Sequence, residues 1–542
     1  MATSTDAPPP RSSGAGPKHW PLFGSLAVFG LTMMAMLALS LHLTSGRLIY
    51  PLDDTYIQMA MAKNAVLHGT WGVTRHGFSG SSSSPLWTLL VSGSYLLFGV
   101  NEVTPFVLSL LSGTLAVIVA YSVLNRHITS RPAVLAACVL GVLLTPLPPV
   151  AYTGMEHALH AALALGLVWL AARVLSSAGR LPPRDVGLLA LLAALLTAVR
   201  YEGLFLALVL CVLLLLNRRI AGAAIVGAAA LVAPLTYGVW SVSRGWHFLP
   251  NSVLLKGSIP DLNVRGIVET LLGYRFWANA GRSPHLLLLL IVASLLLLLR
   301  MWKKPPRSTV LYALAIFIGT TILHLTFAQA GWLYRYDAYL VLTGLTAICT
   351  GLWESGPAFT FNPLASPRHA AAALLLTLIC SPVLVRAARF LYVTPRSTKN
   401  IYEQQYQMGL FLGRYYRDTQ VAVNDIGAVS FLADTKLTDL VGLSDLDCGR
   451  LRLRRDYSDD MVLGLAEKRG VRTALVYRDW FSSLTWTEVG QWRIAGNVAC
   501  AKADVSICAV DSSAVRELVR NLKAFAPDLP ADVEQSGLYT QQ

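Results

Sequence analysis

Trp20 to Leu43 runs for 24 residues without a charge, and similar apolar stretches recur at about 132–150, 157–175, 185–199, 203–217, 220–241, 284–300, 308–327, 338–353 and 369–386. A bilayer core takes roughly 20 such residues, whereas the apolar centre of a signal peptide has about 7–15. The first stretch therefore predicts a true span. One region resists a simple count: 85–124 holds two apolar runs flanking Asn101-Glu102. Either one of these is a partial or interfacial helix, or the basic loop after them breaks the charge rule. One net crossing there gives about 11 spans. From residue 390 the pattern changes. Thr419–Asn424 and Val471–Tyr477 read as buried strands, Asp459–Arg469 as a helix between them, Trp492–Val510 as a hairpin and Ser513–Phe525 as an amphipathic helix.

Composition supports this division. Apolar residues make up 54 % and charged residues 14 %, against roughly 25 % charged in soluble proteins, and mean hydropathy is +0.53. A disordered chain and an ordinary soluble enzyme are both excluded. Charge then orients the spans. Residues 390–542 hold 18 Lys/Arg and 19 Asp/Glu, which leaves 26 basic and 11 acidic residues in 1–389. The excess gathers at Arg126/Arg131, Arg173/Arg180/Arg184, Arg218/Arg219 and Arg300/Lys303/Lys304/Arg307. Basic residues in short loops mark the cytoplasmic side. The net charge of +14 follows from that bias and is no sign of a nucleic-acid partner.

Three units are expected: a disordered cytoplasmic start at 1–19, a polytopic α-helical membrane domain at 20–389, and a small extracytoplasmic α/β domain at 390–542. Loops 46–84, 242–283 and 328–337 then lie outside. The cysteines show no zinc spacing. Cys500 and Cys508 are the simplest disulfide pair if the tail faces an oxidising compartment.

The first outer loop carries Asp53-Asp54-Thr55. Adjacent carboxylates near a bilayer raise at least one pKa, which suits a general base, or they share a cation. The alternative is that Asp54 or Thr55 caps a helix over 56–68. The surroundings favour chemistry. Asp53-Asp54-Thr55-Tyr56-Ile57, Lys63-Asn64, His68-Gly69 and Ser83-Ser84-Pro85-Leu86-Trp87-Thr88 are followed in order by Gly154-Met155-Glu156 and Arg200-Tyr201-Glu202-Gly203. Pro250-Asn251-Ser252 with Lys256, Arg335-Tyr336, Asn424-Asp425-Ile426-Gly427-Ala428 and Asp439-Leu440-Val441-Gly442-Leu443 complete the series. Over about residues 20–480 this order resembles the GT-C superfamily, membrane glycosyltransferases that use polyprenyl-phosphate sugars. The nearest pattern is that of the terminal arabinofuranosyltransferases of actinobacterial cell walls. Met59-Ala60-Met61-Ala62 stands where that family often has Phe-Arg-Tyr-Ala, which leaves the sugar open.

The resemblance implies a GT-C-like fold in a bacterial cell (inner) membrane, with membrane lipid around it. It also implies a polyprenyl-phosphate-linked sugar as donor, a glycan or lipid-linked acceptor, and inversion at the anomeric carbon. A sugar phosphate carries its own leaving group, so the reaction needs a base for the acceptor hydroxyl and positive charge against the phosphate. Asp53 is the expected base, with Asp54 orienting it or holding a divalent metal. Arg200, Lys256 and Arg335 are the candidate cations, and Glu156, Glu202, Asn251 and Tyr336 complete the expected substrate-binding set. Two alternatives stand beside this reading. A secondary transporter also has ten or more spans, but it would bury charge near the midplane of interrupted, repeated helices. A GT-C enzyme could instead glycosylate protein.

Overall fold

The computed structural model describes residues 19–179, 182–256, 264–271, 273–302, 308–331, 333, 335–354, 367–454, 457–481 and 483–541. The expected disordered start, apart from His19, lies outside the described residues, as does the side chain of Lys256.

The chain is a multi-pass helical membrane protein with a small sheet-containing domain at its C-terminal end. Among the described residues six helices are long and apolar enough to cross a bilayer: Trp20–Leu43, Thr104–His127, His157–Ser176, Ile220–Ser243, Pro284–Trp302 and Thr309–Phe327. The shorter apolar helices Arg131–Leu144, Gly203–Leu216 and Ala338–Glu354 alternate with them, as do Pro183–Val199 and the 35-residue Pro367–Ile401. His157–Ser176 is the central rod. It packs against Thr104–His127, Pro183–Val199, Thr309–Phe327 and Ala338–Glu354. Its buried Ala158, Ala161, Ala162, Ala164, Ala171 and Ala172 let those backbones come close, the usual basis of helix association in lipid.

The ambiguous stretch 85–124 is settled by what its ends touch. At the start of helix Pro85–Phe98, Thr88 and Ser82 donate hydrogen bonds to Gln58. After its end, the Glu102 carbonyl accepts from the Tyr50 hydroxyl at 2.5 Å and the Glu102 carboxylate from Tyr406 at 3.1 Å. Both ends therefore lie on the face that carries the C-terminal domain, and this helix turns back without crossing. Thr104–His127 does cross. At its far end His127 meets Glu354 at 2.8 Å, and Arg300 joins the same carboxylate at 2.6 Å.

The expected boundary at 389/390 falls inside helix Pro367–Ile401, which continues through a π turn at Tyr402–Tyr406 into Gln407–Tyr415. The domain beyond it is a six-stranded mixed sheet of β1 (Gln420–Val423), β2 (Lys436–Asp439), β3 (Thr473–Val476), β4 (Thr487–Arg493), β5 (Asp504–Ala509) and β6 (Glu534–Gly537), in the order β2-β1-β3-β5-β4-β6. β1 runs parallel to β2 and β3, with Ala422 between Thr438 and Ala474. The pairs β3–β5, β5–β4 and β4–β6 are antiparallel. The expected helices form at Asp459–Lys468 and Val515–Phe525. The disulfide does not form: both cysteines are free thiols. Cys508 packs with Val462 and Ala466 under one face of the sheet, whereas Cys500 packs with Phe411 and Trp492 on the other. Two thiols separated by the sheet cannot reach the bonding distance a disulfide requires.

Candidate active site

A cavity of about 390 Å³ opens where the bundle meets the C-terminal domain. Apolar side chains dominate its wall, among them Ile57, Met155, Leu204, Phe205, Phe327 and Leu443. Against them stand Asp54, Arg200, Glu202, Arg335 and Tyr336, with Gln58, Ser81, Ser83, Ser252 and Gln329. An apolar chamber with a few convergent polar groups is the usual form of a ligand site.

Asp54 and Arg335 form an ion pair in this wall. Arg335 is 1 % exposed and lies 4.7 Å over the Tyr336 ring, whose hydroxyl accepts from its Nη2 at 3.0 Å. Among the described residues its Nε and Nη1 have no hydrogen-bond partner. A buried guanidinium edge left open is costly unless something binds it. Arg200, by contrast, is used up. Its Nη1 meets Glu156 at 2.5 Å, and its Nη2 and Nε meet Glu202 at 2.6 and 3.1 Å. Its guanidinium also lies 5.1 Å over the Tyr336 ring. Arg200 thus acts as a clamp between two helix starts, Glu156 before His157–Ser176 and Glu202 before Gly203–Leu216.

Three expected site residues face elsewhere. Asp53 is absent from the cavity wall. Its two carboxylate oxygens accept the backbone N–H groups of Gly427 at 2.6 Å and Ala428 at 2.8 Å, at the start of helix Gly427–Leu432. Lys63, ten residues further along helix Asp53–His68, donates to the Ser430 and Phe431 carbonyls at the other end of the same short helix, at 3.3 and 2.8 Å. Opposite charges therefore meet the two poles of one helix dipole. This contact needs glycine at 427, because a Cβ there would lie 2.0 Å from the Asp53 carbonyl oxygen. Glu156 is fully buried behind Arg200. Asn251 is a strut: its amide donates to the Gly442 carbonyl at 2.8 Å, its oxygen meets His247 at 2.9 Å, and its backbone N–H donates to Gly80 at 2.8 Å. The Lys256 side chain lies outside the described residues.

The two motifs of the C-terminal domain explain themselves in this setting. Asp439 accepts from the backbone N–H groups of Val441, Gly442 and Ser444 at 2.7–3.1 Å. That turn, with Gly442 at φ +85°, presents Leu443 to the cavity, and Ser81 donates to the Leu443 carbonyl at 2.9 Å. Asp425 accepts from Tyr477 at 2.5 Å and Gln405 at 2.8 Å. Burial, then the nearby Asp425, pushes the Asp53 carboxyl up to about 7, and burial also raises Asp425. The Gly427 and Ala428 N–H groups on the two Asp53 oxygens oppose that rise in Asp53. Among the described residues no group of three or more His, Cys, Asp or Glu is arranged to hold an ion, and Asp54 is paired with Arg335.

Sequence reasoning missed Gln58 and the serine segment. The run Ser79–Ser84 reads as a flexible loop, yet Ser79, Ser81, Ser82 and Ser84 are buried and Ser81 and Ser83 line the cavity. Low-complexity serine carries no signal that separates a packed wall from a linker.

No curated protein matches the chain. Residues 399–509 match a family model described as a domain of unknown function, DUF8728. Among solved structures, ArnT from Cupriavidus metallidurans bound to undecaprenyl phosphate aligns with TM-score 0.53 and 14 % identity, covering 92 % of this chain and 99 % of that one. Its apo form gives 0.51 and 14 %, covering 91 % and 98 %. The arabinofuranosyltransferase AftD from Mycobacteria aligns at 0.45 and 16 %, covering 92 % of this chain and 42 % of that one. The ArnT likeness shows the fold alone, which is GT-C-like.

Proposed function

We propose that the chain is an inverting membrane glycosyltransferase, moving a sugar from a polyprenyl-phosphate donor to a glycan or lipid-linked acceptor on the outer face. The observation that carries this reading is the open edge of Arg335, a buried cation in an apolar chamber beside a carboxylate. A lipid phosphate offers two oxygens to such a fork while its chain lies against apolar walls. ArnT, of the same fold, was solved with undecaprenyl phosphate, which supports the same class of ligand here.

The carboxylate facing the chamber is Asp54, so the base role passes to it, and Asp53 becomes the residue that seats the C-terminal domain. The acceptor hydroxyl gives its proton to Asp54 as its oxygen bonds the anomeric carbon. The bond from that carbon to the phosphate oxygen breaks, and Arg335 holds the departing phosphate. A single displacement inverts the centre. Gln58, Ser81, Ser83, Ser252 and Gln329 are polar groups of the wall that can meet the sugar hydroxyls, beside Glu202. Arabinofuranose is the first sugar to try. The test is transfer from labelled short-chain polyprenyl-phosphate sugars to a cell-envelope glycan extract by the purified protein in detergent. Labelled product that disappears in Arg335→Ala is expected; a protein inert towards a panel of such donors would overturn the assignment.

A further inference from the structure

Immediately after Arg335-Tyr336 the chain buries a second charged cluster, outside the cavity wall. Asp337 is fully buried and bonds two groups: Arg386 Nη2 at 2.7 Å and His285 Nε2. Arg386 and His285 are each 2 % exposed. Three buried titratable groups at the end of a bundle need a physical reason.

The reason lies in another part of the chain. Helix Arg131–Leu144 breaks at Thr145-Pro146 and resumes as Leu147–Tyr152. In a continuous helix the carbonyls of Leu144 and Thr145 would accept from residues 148 and 149. Both of those are proline and have no N–H. Arg386 Nη1 supplies the missing donor, at 3.3 Å to Leu144 and 3.2 Å to Thr145. One guanidinium therefore ties the broken helix to Asp337, and Asp337 neutralises it. Arg386 belongs to the helix Pro367–Ile401 that leads into the C-terminal domain.

Asp337 is also the hinge between two unlike segments. Helix Ala338–Glu354 starts at the next residue, and the Leu340 and Val341 N–H groups donate to the Asp337 carbonyl at 3.0 Å. The segment before it is irregular, with Gly331 at φ +95° and Leu333 at φ +50°. The Ala338 N–H donates to the Arg335 carbonyl at 3.4 Å, so the turn that carries Arg335 runs straight into Asp337, whose side chain is anchored by Arg386 and His285.

We propose that Asp337, Arg386 and His285 are positioning residues for Arg335: they hold its open guanidinium edge in the cavity and make donor affinity depend on the broken helix and on the helix leading to the C-terminal domain. The proposal rests on the reading that Arg335 binds the donor phosphate, and the experiment separates the two. The full chain is purified in detergent and titrated with a short-chain polyprenyl phosphate. Arg335→Ala, the pair Asp337→Asn with Arg386→Gln, and all three changes together are compared. The pair removes both buried charges at once, which avoids stranding either. A loss of about tenfold is expected for the pair, and the triple variant should bind no worse than Arg335→Ala, since coupled residues are non-additive. In transfer assays the pair should raise donor KM and leave acceptor KM unchanged, a split that general loosening of the bundle would not give.

Parent-like binding by the pair, with Arg335→Ala impaired, overturns the proposal and leaves the phosphate site standing. Losses that multiply in the triple variant also overturn it. Parent-like binding by Arg335→Ala removes the phosphate site, and the proposal with it. If the pair fails to fold, Arg386→Lys decides: it keeps the charge opposite Asp337 but lacks the fork that reaches both carbonyls, so about a threefold loss supports the proposal and unchanged affinity overturns it.

Discussion

Asp53 and Asp54 are neighbours in sequence with opposite surroundings, and substituting each by asparagine should give two unlike defects. Asp54 faces the cavity. Asp54→Asn removes the proposed base and should lower the transfer rate at saturating donor by about 10²–10⁴-fold, the usual contribution of a general base, and because it leaves the buried Arg335 without its carboxylate the melting temperature should fall as well. Asp53 instead receives two backbone N–H groups across the domain contact. Hydrogen bonds to a charged group contribute roughly 1.5–3 kcal/mol each, neutral ones about 0.5–1.5. Asparagine keeps one bond at neutral strength and turns an NH₂ towards the other N–H. The expected cost is roughly 2–4 kcal/mol at the contact, partly offset because the repulsion from Asp425 is relieved. Asp53→Asn should therefore lower the melting temperature in detergent and speed proteolytic cleavage near the start of the C-terminal domain, with activity falling only as far as the domain unseats. A folded, stable Asp53→Asn protein without transfer activity, next to an active Asp54→Asn, would refute the division and return the base role to Asp53.

Three further outcomes are expected. Arg335→Ala should weaken binding of a polyprenyl-phosphate donor by the roughly 1.5–3 kcal/mol of a charged hydrogen bond, about 10- to 150-fold, and Arg335→Lys should restore only part of it; equal binding by all three proteins in a detergent titration would place the phosphate elsewhere. Gly427→Ala should destabilise the domain contact at least as much as Asp53→Asn, because its Cβ would meet the Asp53 backbone at 2.0 Å; a parent-like melting curve would mean that the two helices part without loss. The pH dependence has a definite sign. The Asp53–Asp425 pair keeps a proton in the folded state that the unfolded chain has released above about pH 4, and burial holds Asp439 up to about 6 in the same way. Stability should fall as pH rises from about 4 to about 7, and Asp425→Asn should flatten the melting profile across that window.

The fold was legible in the sequence because lipid imposes a one-dimensional rule. A span must be apolar for about 20 residues, and a basic loop must lie on one side. Where length failed as a guide, as for Pro85–Phe98, the charge rule still flagged the conflict that the Tyr50–Glu102 contact settles. The site was legible as a set of motifs but not as a set of roles. Asp53 and Asp54 differ by one residue, and the helix that starts there points them to different neighbours. Which neighbour each meets depends on Gly427, which lies 374 residues away from Asp53. The glycine motif and the carboxylate motif were each visible, while their contact was not. Arg200 and Arg335 are likewise equivalent as letters. Their difference is the number of carboxylates already bonded to each, a property of the packed bundle.

That difference gives the site its economy of charge. Arg200 is bracketed by Glu156 and Glu202, so it adds no net positive field to the cavity, and its worth is rigidity between two helix starts. Arg335 has the single carboxylate of Asp54 on one nitrogen and two nitrogens open among the described residues. An arriving phosphate would complete a buried guanidinium that is otherwise incompletely satisfied, and the desolvation already incurred in folding would not recur on binding. Because the same guanidinium touches the base, donor occupancy and base environment are linked. On the proposed reading, a phosphate bound at Arg335 would share with Asp54 the same guanidinium.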